Sequence, residues 1–181
     1  MATQSKFGGI GRALQHRNYR YYWMGGAVSI LGFWLHKLAL GWLTWELTHS
    51  PFWLGIIGFS ATFVTAIIAP FAGAVADRFG LRKIAFIALS CSSANAMTVA
   101  IVTYSGAMTI ELLVILTLIQ GITLSFDLPA RQALVHHIVD REDLSAAIAL
   151  NTTTFHVGAF VGPALFGLVT SIWDTYAAFF I

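Results

Sequence analysis

Gly73-Ala-Val-Ala-Asp77-Arg78-Phe-Gly80-Leu-Arg82-Lys83 is a polar interruption between two long hydrophobic runs. A helix is expected to end near Ala76. Gly80 permits the sharp reversal of a short inter-helix turn, and the next helix is expected to start after Lys83. Arg78, Arg82 and Lys83 crowd together, which pins the turn to the cytoplasmic face if the flanking runs cross a membrane. Asp77 beside Arg78 lets the same turn make charged contacts as well as mark orientation.

The rest of the chain supports that condition. Of its 181 residues, 57% are hydrophobic and 10% charged, with mean hydropathy +0.76. A soluble domain carries about 25% charged residues. The deficit is spread along the whole chain, so the fold class read from composition is an all-α, multi-pass integral membrane protein in a lipid bilayer. A net charge of +2, with its cations in loops rather than on one face, points away from nucleic acid. The lone Cys91 excludes an intrachain disulfide and a Cys-based metal site. Met1 to Arg20 is polar and basic and does not read as a removable signal peptide.

Working outward, residues 1–21 read as a cytoplasmic, interfacial N-terminal segment. Lys6, Arg12, Arg17 and Arg20 alternate there with Phe7, Ile10 and Leu14, as in a short helix lying at the membrane surface. Tyr19, Tyr21, Tyr22 and Trp23 form an aromatic cluster where the first span enters. Residues 22–181 read as a transmembrane bundle. Its apolar runs lie at roughly 22–46, 52–76, 84–105, 109–126 and 146–173, each long enough to cross about 30 Å of hydrocarbon. A sixth run starts at Tyr176 and is expected to be cut off at Ile181. Every Lys and Arg except Lys37 falls in the N-terminal segment, the central turn or residues 127–145. That is a positive-inside pattern with the N-terminus in the cytoplasm. Segment 127–145 is amphipathic: Leu134, Val135, Ile138 and Val139 can face bilayer or bundle while the charges face water, and Pro129 marks the exit from the fourth span.

The central turn resembles the signature Gly-x-x-x-Asp-Arg-x-Gly-(Arg/Lys)-(Arg/Lys) of the major facilitator superfamily. Gly73, Asp77, Arg78, Gly80 and Arg82 match in register, Leu81 replaces a basic residue, and Lys83 follows. The resemblance implies that Asp77 caps a helix of the other half of the transporter. It also implies that an Arg of the loop pairs with an acid below the fourth span, at Asp127. With Leu81 at the usual Arg position, Arg78 or Arg82 takes that role. The other reading of the turn is an orientation signal without a gating part.

A second stretch, Gly158-Ala-Phe-Val-Gly162-Pro163-Ala-Leu-Phe166-Gly167, is similar to the Gly-x-x-x-Gly-Pro-x-x-Gly-Gly pattern of superfamily antiporters, with Phe166 in place of one Gly. Gly158 and Gly162 share a helix face and allow another helix close, while Pro163 removes a hydrogen bond and permits a bend. Three more stretches resemble the branch of secretion transporters that includes the enterobactin exporter. They are Gly41-Trp-Leu-Thr-Trp-Glu-Leu-Thr48 with Ser50-Pro51, Asp127-Leu-Pro-Ala-Arg131-Gln-Ala, and Ala147-Ile-Ala-Leu-Asn151.

Together these resemblances imply the N-terminal six-helix half of a twelve-span major facilitator fold, truncated in the sixth span, whose C-terminal half is missing. They further imply secondary active efflux, with protons as coupling ion, across a bacterial plasma (inner) membrane. Thr117 stands where many drug/proton antiporters carry an Arg on the fourth span, so coupling through that Arg is not expected.

Lys37 and His36 are the most informative polar residues within a span. A cation near mid-bilayer costs about 2.5–3.5 kcal/mol on insertion scales and persists beside a water-filled cavity or a partner. Lys37 shares a face with Gly41 and Thr44, whereas His36 continues the small stripe Gly25, Ser29, Gly32. Lys37 is therefore expected to line a cavity, the alternative being snorkelling to the outer interface. His36 is expected to pack against a neighbouring helix. His156 lies near mid-membrane in the fifth span; the resemblance lets it share the central cavity with Lys37 as a proton carrier, and the alternative is a neutral, hydrogen-bonded His. Asn95 and Asn151 read as interhelical hydrogen-bond donors or acceptors. His136 and His137 are adjacent and point apart, so no metal pair is expected, and nothing calls for a cofactor.

The leading functional expectation is efflux of small amphipathic molecules, drug or siderophore in type, by alternating access. Binding near the midplane would involve Lys37 and His156, and Lys37 would favour anions. The alternative is a non-transporting membrane scaffold that reuses the fold. An enzyme is not expected, because the spans lack a nucleophile–base constellation.

Overall fold

The computed structural model describes residues 8–172. Six helices account for nearly all of them: α1 (Gly8–Ala13), α2 (Arg17–Thr48), α3 (Pro51–Phe79), α4 (Leu81–Tyr104), α5 (Ile110–Ile138) and α6 (Leu144–Ile172). Five of these, α2 to α6, are long and apolar enough to cross a membrane. No strand occurs among the described residues. Residues 1–7 and the expected start of a sixth span at Tyr176 lie outside the described part.

The helix ends follow local chemistry. Pro51 opens α3 at a position where its missing N–H has no intrahelical acceptor anyway. The Thr109 hydroxyl accepts the Leu112 N–H at 3.3 Å, and Glu111 in the first turn complements the helix dipole of α5. The central turn is tighter than expected from sequence: α3 continues to Phe79 and α4 begins at Leu81, so Gly80 alone joins them. Its φ of 98° and ψ of 121° suit only glycine, and its N–H closes on the Ala76 carbonyl at 3.0 Å. Asp77 and Arg78 thus belong to the last turn of α3, and Arg82 and Lys83 to the first turn of α4.

A second difference concerns Pro129. The helix does not break there: α5 runs through it to Ile138. A proline removes one hydrogen bond of the ladder, and here the apolar positions beyond it have a core to join. Val135 and Val139 pack with Ala13, Tyr19 and Ala147.

Helix α5 lies against both α3 and α4, and α2 runs along α6. One core cluster, including Leu40, Leu43, Ile57, Val99, Leu113, Leu116 and Val169, closes the end remote from the basic residues. The cluster around Tyr19 closes the basic end. Large apolar side chains such as Phe52, Phe71, Phe86 and Phe160 project outward. Helices apolar all round in this way suit a hydrocarbon surrounding.

Within the bundle, polar side chains bridge helices. The Asn95 amide on α4 donates to the Leu116 carbonyl at 3.2 Å and to Gln120 Oε1 at 3.1 Å, while Gln120 Nε2 donates to the Ser92 hydroxyl at 2.6 Å. Asn95 and Gln120 are buried. Either single change, Asn95→Leu or Gln120→Leu, is expected to destabilise the fold by about 1–3 kcal/mol, because a buried partner is left unsatisfied. The double variant is expected to melt closer to wild type than either single one. Thermal unfolding of the four proteins in detergent checks this.

Candidate functional site

At the basic end, Asp77, Arg78, Gly80, Arg82 and Lys83 are all exposed, and an added Cβ at Gly73 would meet nothing within 4 Å. Asp127 on α5 does not reach the loop cations. It accepts from Arg131 Nε at 2.7 Å, one turn along its own helix. The preference follows from the helix: at i,i+4 the two groups meet without crossing between elements. Arg131 is therefore the partner of Asp127 in this conformation, in place of Arg78 or Arg82.

The same end carries a staple that sequence reading missed. Arg12 on α1 donates to Asp143 at 2.9 Å, and His16 lies 3.2 Å from the other carboxylate oxygen. Asp143 is 8% exposed, although its segment was expected to turn its charges to water. The signal was its place just before α6, where its carbonyl accepts the Ala147 N–H at 3.0 Å; aspartate is favoured at such a start. Tyr19 then donates to the Ala147 carbonyl at 2.9 Å and reaches Asn151 Oδ1 at 3.1 Å, while Trp23 Nε1 donates to the Thr154 hydroxyl at 2.9 Å. These bonds fasten the start of α2 to the first turns of α6.

Further along the α2–α6 seam the contacts become steric. An added Cβ at Gly158 would stand 2.5 Å from Ile30 Cγ2 and 3.0 Å from Trp34 Cδ1, and one at Gly162 would stand 2.6 Å from Trp34 Cβ. The two glycines form a notch that Trp34 fills. Pro163 is exposed, and an added Cβ at Gly167 would meet nothing within 4 Å. Phe33 and Phe155 flank the indole, with ring centroids 5.6 and 5.4 Å from it.

Lys37, one turn on from Trp34, is exposed and holds its ammonium 5.1 Å from the Trp34 ring centre. A cation over an indole is attracted by the ring's electron density, by about 0.5–2 kcal/mol. Both ring nitrogens of His36 are shielded from solvent. His156 is exposed beside Phe155, and no hydrogen bond or ion pair joins it to Lys37 among the described residues. The structure therefore brings Gly158, Gly162 and Lys37 together through Trp34 and leaves His156 apart. Trp34, the residue that links them, was marked in the sequence only by being an aromatic one turn before a charge.

The chain is 24% identical over 161 residues to the staphyloferrin A transporter of Staphylococcus aureus, covering 88% of the chain and 41% of that protein. It is 31% identical over 136 residues to MdtD of Klebsiella pneumoniae, named for multidrug resistance, covering 75% of the chain and 28% of the relative. It is 26% identical over 155 residues to the MFS-type transporter YfiS of Bacillus subtilis, covering 85% and 36%. The chain thus spans less than half the length of these curated relatives. No solved structure matches it significantly. Residues 12–181 match the family described as transmembrane secretion effectors. With five membrane-length helices and transporters of the same superfamily as its relatives, the chain is a multi-pass integral membrane protein and belongs to the transmembrane secretion effector family of the major facilitator superfamily.

Proposed function

We propose that this chain forms the N-terminal half of a proton-coupled exporter of small amphipathic molecules, anions preferred, working by alternating access from a bacterial plasma membrane with its N-terminus inside. The observation that carries the proposal is the seam between α2 and α6, where a bendable helix grips the tryptophan on which an intramembrane cation rests. Bending at Pro163 would shift the notch, Trp34 with it, and so the position of Lys37. A charge whose place depends on helix packing is what binding in one state and release in the other require. The relatives named for a siderophore and for drugs support small-molecule substrates, and the share of their length matched supports a second half. A scaffold role is not favoured, since nothing among these relatives points to one.

Asp77, Arg78, Gly80, Arg82, Lys83 and Asp127 would form the gate at the basic end. Gly158, Gly162, Pro163 and Gly167 would form the hinge, Lys37 would be the cavity charge, and His156, apart from it on α6, would be a candidate proton carrier. The test is efflux of an anionic and a cationic dye from cells expressing the full-length protein. Asp77→Asn is expected to slow efflux by about tenfold, the scale of a lost coupling between states. Collapse of the proton gradient is expected to stop efflux in wild type. Lys37→Ala is expected to slow the anionic dye selectively, and equal, unaltered efflux of both dyes would remove Lys37 from the binding site.

A further inference from the structure

A cavity of about 390 Å³ opens at the basic end between the start of α2, the start of α4 and the end of α5. Its lining is divided. Arg82, Asn18 and Tyr21 supply donors on one side, beside the Tyr22 ring, and Leu134 and Ile138 supply an apolar floor on the other. Among the described residues no carboxylate lines it. Arg17 and Arg20 both lie over the ring of Tyr21, at 5.8 and 5.9 Å from its centre. Arg82 makes no ion pair among the described residues, and Asp127 is already held by Arg131. Tyr22 donates to the Arg131 carbonyl at 3.1 Å, which fixes one wall. Arg82 is the cation of the lining, and an anion seated beside it would gain a charge-assisted hydrogen bond, with Arg17 and Arg20 over Tyr21 adding positive charge on that side.

We propose that this cavity holds the phosphodiester headgroup of an anionic phospholipid. The phosphate faces Arg82 and Asn18, and the glycerol and first acyl carbons lie on Leu134 and Ile138. A guanidinium matches phosphate oxygens in a two-point arrangement. The apolar floor and the neighbouring aromatic belt of Tyr21, Tyr22 and Trp23 favour a lipid over free phosphate, which has no use for either. The proposal concerns binding alone and stands whether or not the transport reading holds.

Native mass spectrometry of the full chain, stripped of lipid and then offered phosphatidylglycerol or phosphatidylcholine at equal concentration, tests it. Wild type is expected to retain phosphatidylglycerol preferentially, by about fivefold for each cation that meets the headgroup. Arg82→Ala is expected to lose about fivefold in that retention, while Arg141→Ala, which removes a charge from the loop before α6, retains the wild-type level. Should Arg82→Ala fail to fold, Arg82→Gln and Tyr21→Leu carry the comparison, and the wild-type lipid preference decides by itself if those fail too. Equal retention of the two lipids by wild type overturns the proposal, as does undiminished retention by a folded Arg82 variant. Displacement of the lipid by millimolar inorganic phosphate overturns it in favour of a free-anion site.

Discussion

Gly121→Leu is expected to prevent the chain from folding to a monodisperse species, while Gly58→Leu leaves folding intact. Both glycines sit inside membrane-length helices, so helix propensity alone favours either replacement, by about 1 kcal/mol for alanine. Packing separates them. A Cβ at Gly121 would lie 2.8 Å from the Ala61 carbonyl oxygen, 3.0 Å from Ala61 Cα and 3.1 Å from Val64 Cβ, whereas one at Gly58 would meet nothing within 4 Å. The first two obstacles are backbone of α3, which cannot rotate aside, so the whole helix has to retreat from α5. Retreat would also break the bond from the Thr65 hydroxyl to the Gly121 carbonyl, now 3.1 Å. Overpacking of this kind costs about 1–3 kcal/mol for a methyl or two and more for a leucine. Size-exclusion profiles and thermal unfolding of the full chain in detergent give the answer. Matching profiles for the two variants would mean that α3 and α5 are not in backbone contact at Gly121.

The second large effect separates two glycines that the sequence treats alike. Gly158→Ala and Gly162→Ala are each expected to loosen the α2–α6 seam, by about 1–3 kcal/mol. Their rescue differs. At Gly158 the obstacles are Ile30 Cγ2 and the indole edge of Trp34. Ile30→Ala removes the closer of these and is expected to recover much of the lost stability. At Gly162 the obstacle is Trp34 Cβ, 2.6 Å away. Alanine keeps that atom, so Trp34→Ala is expected not to rescue Gly162→Ala and instead to add the cost of an emptied notch. Melting temperatures of the single and double variants form two cycles, one coupled and one not. Rescue of Gly162→Ala by Trp34→Ala would show that the indole, and not the approach of the backbones, sets the seam.

The membrane class and the all-helical architecture were legible in the sequence because both rest on bulk properties, namely the charge deficit and the long apolar runs, whereas the half-transporter was legible only through the resemblance carried by the central turn and the Gly158–Gly167 stretch. Gly80 was legible as a reversal, since only glycine suits it, yet the extent of helix around it was not. Charged residues next to a turn look like loop when they can equally occupy the last and first turns of helices. That the helix continues past Pro129 was not legible for a related reason: the local effect of the proline is one lost hydrogen bond, and Val135 and Val139 beyond it join a core with α1, α2 and α6. Asp143 was read as solvated because burial of an acid depends on partners from distant segments, here Arg12 and His16. In the candidate site, Gly158 and Gly162 were readable as a close-approach face, whereas Trp34 as the side chain filling it required knowing which helix lies opposite.

The single-residue joint at Gly80 has a mechanical consequence. Consecutive Cα atoms stand about 3.8 Å apart and cannot stretch, so there is no slack between Phe79 and Leu81. The start of α4 therefore cannot move away from the end of α3, and the two backbone dihedrals of Gly80 set the angle between the helices. Movement at the charged end of this protein is therefore that of two arms sharing one pin, and a tag or protease site inserted there would part arms that the native chain holds a single residue apart.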